Sequence, residues 1–127
     1  TAPTLAAMLS RCDLPNLRKL DLGWNHLGDR GAELLSRSSW LDSLRTLILR
    51  DNHLGGEAVR ALAGSPRLGT LEELSLGHNP IPGSAVKSLL ASETLVRLKK
   101  LDLSQVPLSV WELAELTKKY GSVERNG

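Results

Sequence analysis

Few side chains in this chain have the types and spacing to do chemistry. His26 and His53 stand 27 residues apart, as do Trp24 and Asp51, and Asp51 and His78. If these positions recur on stacked layers, His26 and His53 are neighbours with Asp51 close by. Transition-metal binding is the chemistry such a group suggests, but a metal site needs three or four converging ligands. Two imidazoles side by side on an open surface are better read as solvated side chains, so no metal is expected. Cys12 shares its register with Ser39, Pro66 and Glu93 in a loop, and reads as a packing or partly exposed thiol rather than a nucleophile. Lys99, Lys100, Lys118 and Lys119 form a basic end, read as a solvated cap in preference to a phosphate site. There is no G-x-S-x-G, no metal-ligand spacing and no phosphate-cradling glycine loop. No enzyme activity and no cofactor are expected. Recognition remains. Trp24 occupies a position that other units fill with Asp51, His78 and Gln105, and Ile48 one filled elsewhere by Asp21, Ser75 and Asp102. An exposed Trp beside an Ile and an Arg has the composition of an interface anchor. The expected protein-binding residues on a concave face are Trp24, His26, Ile48, Arg50, Asp51, His53 and His78. The alternative for Trp24 is that it folds over its turn or packs against a preceding repeat.

The elements that must position these residues come from a repeated phrase. Leu17, Leu20, Leu22, Asn25 and Leu27 recur as Leu44, Leu47, Leu49, Asn52 and Leu54, then as Leu71, Leu74, Leu76, Asn79 and Ile81, and finally as Leu98, Leu101, Leu103, Val106 and Leu108. A fixed period of this size means stacked supersecondary units. The alternation Leu20-Asp21-Leu22 predicts a short strand. The later spacing of Ala32, Leu35 and Ser36, repeated as Val59, Leu62 and Ala63 and as Val86, Leu89 and Leu90, predicts a helix with one apolar stripe. Asp29, Gly56 and Gly83-Ser84 are the expected helix starts. Ser109 and Glu112 have capping-box spacing, with Leu113 and Leu116 as the stripe behind them. Gly64-Ser65-Pro66 ends the second helix. Strand and helix in alternation give a parallel sheet on the concave side and helices on the convex side, each unit touching only its neighbours.

Asn25, Asn52 and Asn79 form a structural asparagine ladder. An amide carries both donor and acceptor, so each is expected to pair with the turn above and the turn below. Val106 replaces the fourth asparagine, which an end unit with no further neighbour would tolerate. After it, one helix and a polar tail are expected to finish the stack. Trp40 is expected to cover the edge of the convex side, with a role in contacts between chains as the second reading, and Trp111 to shield the terminal core from water.

With 127 residues, the chain is long enough for one real core. The absence of Phe makes that core aliphatic. A net charge of +2, scattered along the chain, gives no clustered basic face for nucleic acid. No apolar run approaches the roughly 20 residues of a bilayer span, and no signal peptide is visible. A lone Cys12 excludes an intramolecular disulfide and favours a reducing, cytoplasmic setting. A single domain over 1–127 is expected: 1–16 as the end of a truncated repeat, 17–43, 44–70 and 71–97 as repeats, and 98–127 as a terminal capping repeat. Thr4 to Ser10 match the helical part of a preceding unit whose strand is absent. The expectation is therefore the C-terminal piece of a longer array, with a native half-repeat cap as the alternative.

The phrase L-x-x-L-x-L-x-x-N-x-L with a helix in each unit resembles the leucine-rich repeat, in the subtype of ribonuclease inhibitor. The resemblance covers residues 4 to 120. The wording of the units, such as Leu54-Gly55-Gly56-Glu57-Ala58-Val59, and the ending Lys119-Tyr120-Gly121 are similar to repeats of large bacterial proteins. The resemblance implies an α/β solenoid of about four repeats that holds a protein partner on its concave face. Two alternatives stand beside it: a structural C-terminal cap of a longer array, and a regulatory module resembling GTPase activators of this subtype.

Overall fold

The computed structural model describes residues 7–9 and 11–125. Of the helical stretch expected over Thr4 to Ser10, residues 7–9 are helical, and 4–6 and 10 lie outside the described residues. Five strands form one parallel sheet in chain order: β1 (Lys19–Asp21), β2 (Thr46–Ile48), β3 (Glu73–Ser75), β4 (Lys100–Asp102) and β5 (Ser122–Glu124). Between them run α1 (Gly28–Leu35), α2 (Gly56–Ala63), α3 (Val86–Ala91) and α4 (Val110–Tyr120). The register aligns Leu20, Leu47, Leu74 and Leu101 on one row. In each three-residue strand the central side chain points inward and the two flanking residues face the open side of the sheet. Behind the sheet, Leu22, Leu49, Leu76 and Leu103 pack against Leu35, Leu62, Leu89 and Leu116 from the helices, all of them buried.

The fold is the expected α/β repeat solenoid, with one strand more than the expected four. Where a polar tail was expected, Ser122–Glu124 pairs with β4, Leu101 lying opposite Val123. Here the period shortens from 27 to 22, since Lys100 pairs with Ser122. Helix α4 has 11 residues and enters the strand directly through Gly121, whose φ of 88° suits glycine. Tyr120 thereby takes the place of the opening leucine, and its hydroxyl donates to the Leu89 carbonyl at 2.6 Å. Among the described residues the last element is thus β5, where a polar tail after α4 was expected.

The helix ends correct several further expectations. Asp29 does not cap its own helix. Its Oδ1 accepts from the Gly55 and Ala58 amides at 2.7 and 3.1 Å, which lie at the start of α2, so it caps the next unit. The third helix opens with a 3₁₀ turn over Gly83–Ala85. The Ser109–Glu112 capping box is formed as expected, and α2 ends before Gly64. Trp40 is not a cover for the convex edge; it lies inside, 1% exposed, with its indole N–H donating to the Leu9 carbonyl at 2.7 Å. Trp111 does not shield the terminal core. It is 65% exposed, and Leu116 and Tyr120 fill the core instead. A helix buries one face only, and Trp111 stands off the stripe set by Leu113, Leu116 and Tyr120.

Candidate functional site

The asparagine ladder sets the shape of the turns at one end of the sheet. Asn52 Oδ1 accepts from the Asn25 and Leu27 amides at 2.9 and 3.2 Å, while its Nδ2 donates to the Leu22 and Arg50 carbonyls. Asn79 repeats this, accepting from Asn52 and Leu54 and donating to Leu49, Leu76 and Gly77. Asn52 and Asn79 each serve their own coil and the preceding one, while Asn25 Nδ2 donates within its own coil. The expectation of pairing above and below is thus corrected, and with it the account of Val106. An asparagine there would have met the third turn behind it, so an end position does not explain the valine. Nothing else in the structure explains it; Val106 is simply buried.

Two further columns, not recognised in the sequence, follow the same backward rule. Ser65 Oγ donates to the Ser36 carbonyl and Ser92 Oγ to the Ala63 carbonyl, both at 2.6 Å, closing the C-terminal ends of α1 and α2. Ser43 and Thr70 hydroxyls reach the Leu17 and Leu44 carbonyls. The regular spacing of Ser38, Ser65 and Ser92 was the available signal. Ser38 Oγ is buried without a partner among the described residues, and the Leu9 carbonyl at the equivalent place is taken by Trp40.

The expected site residues fall into two groups. Ile48 and Arg50 join Thr46, Glu73, Ser75, Lys100, Asp102, Ser122 and Glu124 around a hollow of about 250 Å³ on the open face of the sheet. The others do not lie on strands. Trp24, Asp51 and His78 sit in the turns after the strands with φ of 64°, 54° and 58°, and His26 and His53 with φ of 52° and 57°. The strands end three to five residues earlier in each unit, although backbone bonds between coils run on to the Trp24, Asp51 and His78 amides; in these left-handed turns the side chains form a rim beside the hollow, a correction to their expected place on the concave strands. Pro80 and Pro107 occupy the later equivalents of His26 and His53, where a proline φ near −65° forbids that geometry.

Asp102 is the polar centre of the hollow, and sequence reasoning placed it outward without assigning it to the site. Ser104 donates to its carboxylate through both hydroxyl and amide, at 2.5 and 3.0 Å, and Ser75 Oγ at 2.7 Å. Arg50 Nη1 reaches it at 3.5 Å from two strands away. Partial burial alone would raise the pKa of this carboxyl; the hydrogen bonds from Ser104 and Ser75 and the Arg50 charge outweigh it and hold the pKa below the ordinary 3.8. Gly77 leaves the space, since a Cβ there would lie 2.9 Å from Asp102 Oδ2.

On the rim, Trp24 is 77% exposed. His53 Nε2 and His26 Nδ1 are 2.7 Å apart, with ring centres 4.8 Å apart and planes at 15°. That nitrogen separation is well inside the roughly 3.5 Å of non-bonded ring contact. The rings therefore meet edge to edge through nitrogen and are not stacked face to face. No group of three or more His, Cys, Asp or Glu is arranged for a metal among the described residues. The basic end is divided among neighbours. Lys99 pairs with Glu72 and Lys100 with Glu73, while Lys119 Nζ donates to the Leu90 and Ser92 carbonyls at the end of α3. Cys12 is half-buried against the core.

The family model for the Leucine Rich repeat matches residues 13–36 and 42–63. Comparison with curated proteins gave no match. Five parallel strands alternating with helices, together with the two matched repeats, support a leucine-rich repeat protein with an α/β solenoid fold. Domains of this class generally act as protein-interaction scaffolds. No helix among the described residues is long and apolar enough to cross a membrane.

Proposed function

We propose that the chain is a non-catalytic scaffold that holds a protein partner in the hollow of its sheet, with the Trp24–His53 rim as a second contact. The observation that carries this reading is the pre-ordered lining. Arg50, Ser75 and Asp102, from three successive strand units, are locked to one another before any partner arrives. Side chains already fixed lose little entropy on binding. A standard partner covers about 800 Å² per side, and the adjoining rim is included in the proposed contact on that ground. A photo-reactive residue in place of Thr46 is expected to cross-link a protein partner, and one in place of Arg60 on α2 is not. The reverse pattern would overturn the proposal.

The second reading is a structural cap, and Arg125 favours it. This residue stands in the column of Leu22, Leu49, Leu76 and Leu103, and a guanidinium in a leucine column asks for water where another coil would pack. Within the scaffold reading, the units divide as 17–43, 44–70 and 71–97, with 98–127 closing the stack and 1–16 ending a preceding repeat. We assign the ribonuclease-inhibitor-like subtype because every unit carries a helix, a bacterial origin from the wording of the units, and a cytoplasmic setting from the lone Cys12. Partners of this scaffold are proteins and not nucleic acid, the net charge being only +2.

A further inference from the structure

We propose that His26 and His53 form a two-histidine site for a divalent transition-metal ion of borderline softness, Cu²⁺ ahead of Ni²⁺ and Zn²⁺. The pair differs from two solvated imidazoles in how it is held. Asn52 Oδ1 grips the amides on both sides of His26, those of Asn25 and Leu27. Asn79 Oδ1 grips the amides on both sides of His53, those of Asn52 and Leu54. Both histidines lie in the left-handed region, so the backbone carrying each ring is set by that turn while the ring itself can rotate. Their Cα positions are therefore fixed by the ladder, and the two ring nitrogens, Nδ1 of His26 and Nε2 of His53, are aimed at one another.

The two facing nitrogens are one hydrogen bond apart, and tilting each ring off that line brings their lone pairs onto one point. Metal–nitrogen bonds of about 2.0–2.1 Å at a tetrahedral ion require the nitrogens to part to about 3.3 Å. Both rings are exposed, so a small side-chain rotation supplies the opening. The hydrogen now lying between the rings moves to the outer nitrogen of its own imidazole, which leaves both facing nitrogens free to ligate with no net proton release from the neutral pair. Imidazole suits Cu²⁺, Ni²⁺ and Zn²⁺, and affinity in that series peaks at copper. Water fills the remaining positions.

The test is calorimetric titration of the untagged full chain with Cu²⁺, Ni²⁺, Zn²⁺ and Mg²⁺ in a non-coordinating buffer. One equivalent of Cu²⁺ is expected to bind most tightly and Mg²⁺ not at all. His26→Gln and His53→Gln are each expected to weaken Cu²⁺ binding about tenfold or more, and His78→Gln to leave it unchanged. A readout independent of variants is the imidazole NMR signals of the native chain, where Ni²⁺ should broaden His26 and His53 before His78. Absence of Cu²⁺ binding, affinity unchanged in both variants, or broadening led by His78 would each overturn the site.

Discussion

Asn52 is the residue whose loss should be felt most at the rim. It satisfies two backbone amides of the preceding coil and two carbonyls, and it is fully buried. Asn52→Ala leaves buried backbone groups unpaired, and about 3 kcal/mol of stability should be lost. Asn25→Ala removes donations to the Leu22 and Gly23 carbonyls of its own coil only, and should cost about 1 kcal/mol. Urea unfolding of the two variants checks the ranking. Asp102 makes a separate prediction. Its folded pKa is lowered, so its contribution to stability is present above the unfolded value of 3.8 and is lost as pH falls through the lower folded value. Asp102→Asn should therefore be less stable than the native chain at neutral pH, and the gap should close below that window. Melting temperatures measured from neutral pH down through the carboxylate range test it; a gap that persists in strong acid would refute the assignment.

At the scale of elements, capping passes from one unit to the next. The Asp29 carboxylate lies on α1 but closes the start of α2. Asp29→Ala should cost about 1 kcal/mol, the usual value of a cap, and the amides of Gly55 and Ala58 should exchange faster while the first turn of α1 stays unchanged. Hydrogen exchange resolved by residue reads this directly. Faster exchange confined to α1 would mean that Asp29 serves its own helix after all. Gly55 belongs to the same device, since a Cβ there would meet Asp29 Oδ2 at 3.2 Å. The serine column closes the other helix ends by the same backward reach, Ser65 serving α1 and Ser92 serving α2.

For the whole molecule, the fifth strand covers the last of the four leucine rows. A chain stopped at Gly121 loses the backbone pairing that Leu103 makes with Glu124 and the cover that half-buried Val123 gives the core. Removing Ser122 onward should cost about 2 kcal/mol, the order of one partly buried valine and its strand pairing. The expected observation is a lower unfolding midpoint with the helical signal largely kept. An unchanged midpoint would show that β5 contributes nothing and that α4 alone covers this side of the core.

Much of this was written in the order of residues. Leucines at a constant interval, three asparagines in phase and the switch from alternate to helical spacing force one arrangement, because a unit that cannot bury its apolar side alone must stack on its copies. Ile48 and Arg50 were correctly placed on the open sheet by phase. The direction in which the amides reach, the cap that Asp29 lends to α2, the burial of Trp40 and the exposure of Trp111 depend on distances between coils, which spacing along the chain does not carry. The fifth strand escaped because its period is five residues short and its column reads Tyr120, Val123 and Arg125 in place of leucines. The rim escaped because the backbone turns left-handed at Trp24, Asp51 and His78 while their amides still bond to the next coil, and residue spacing along the chain does not carry that change of backbone direction.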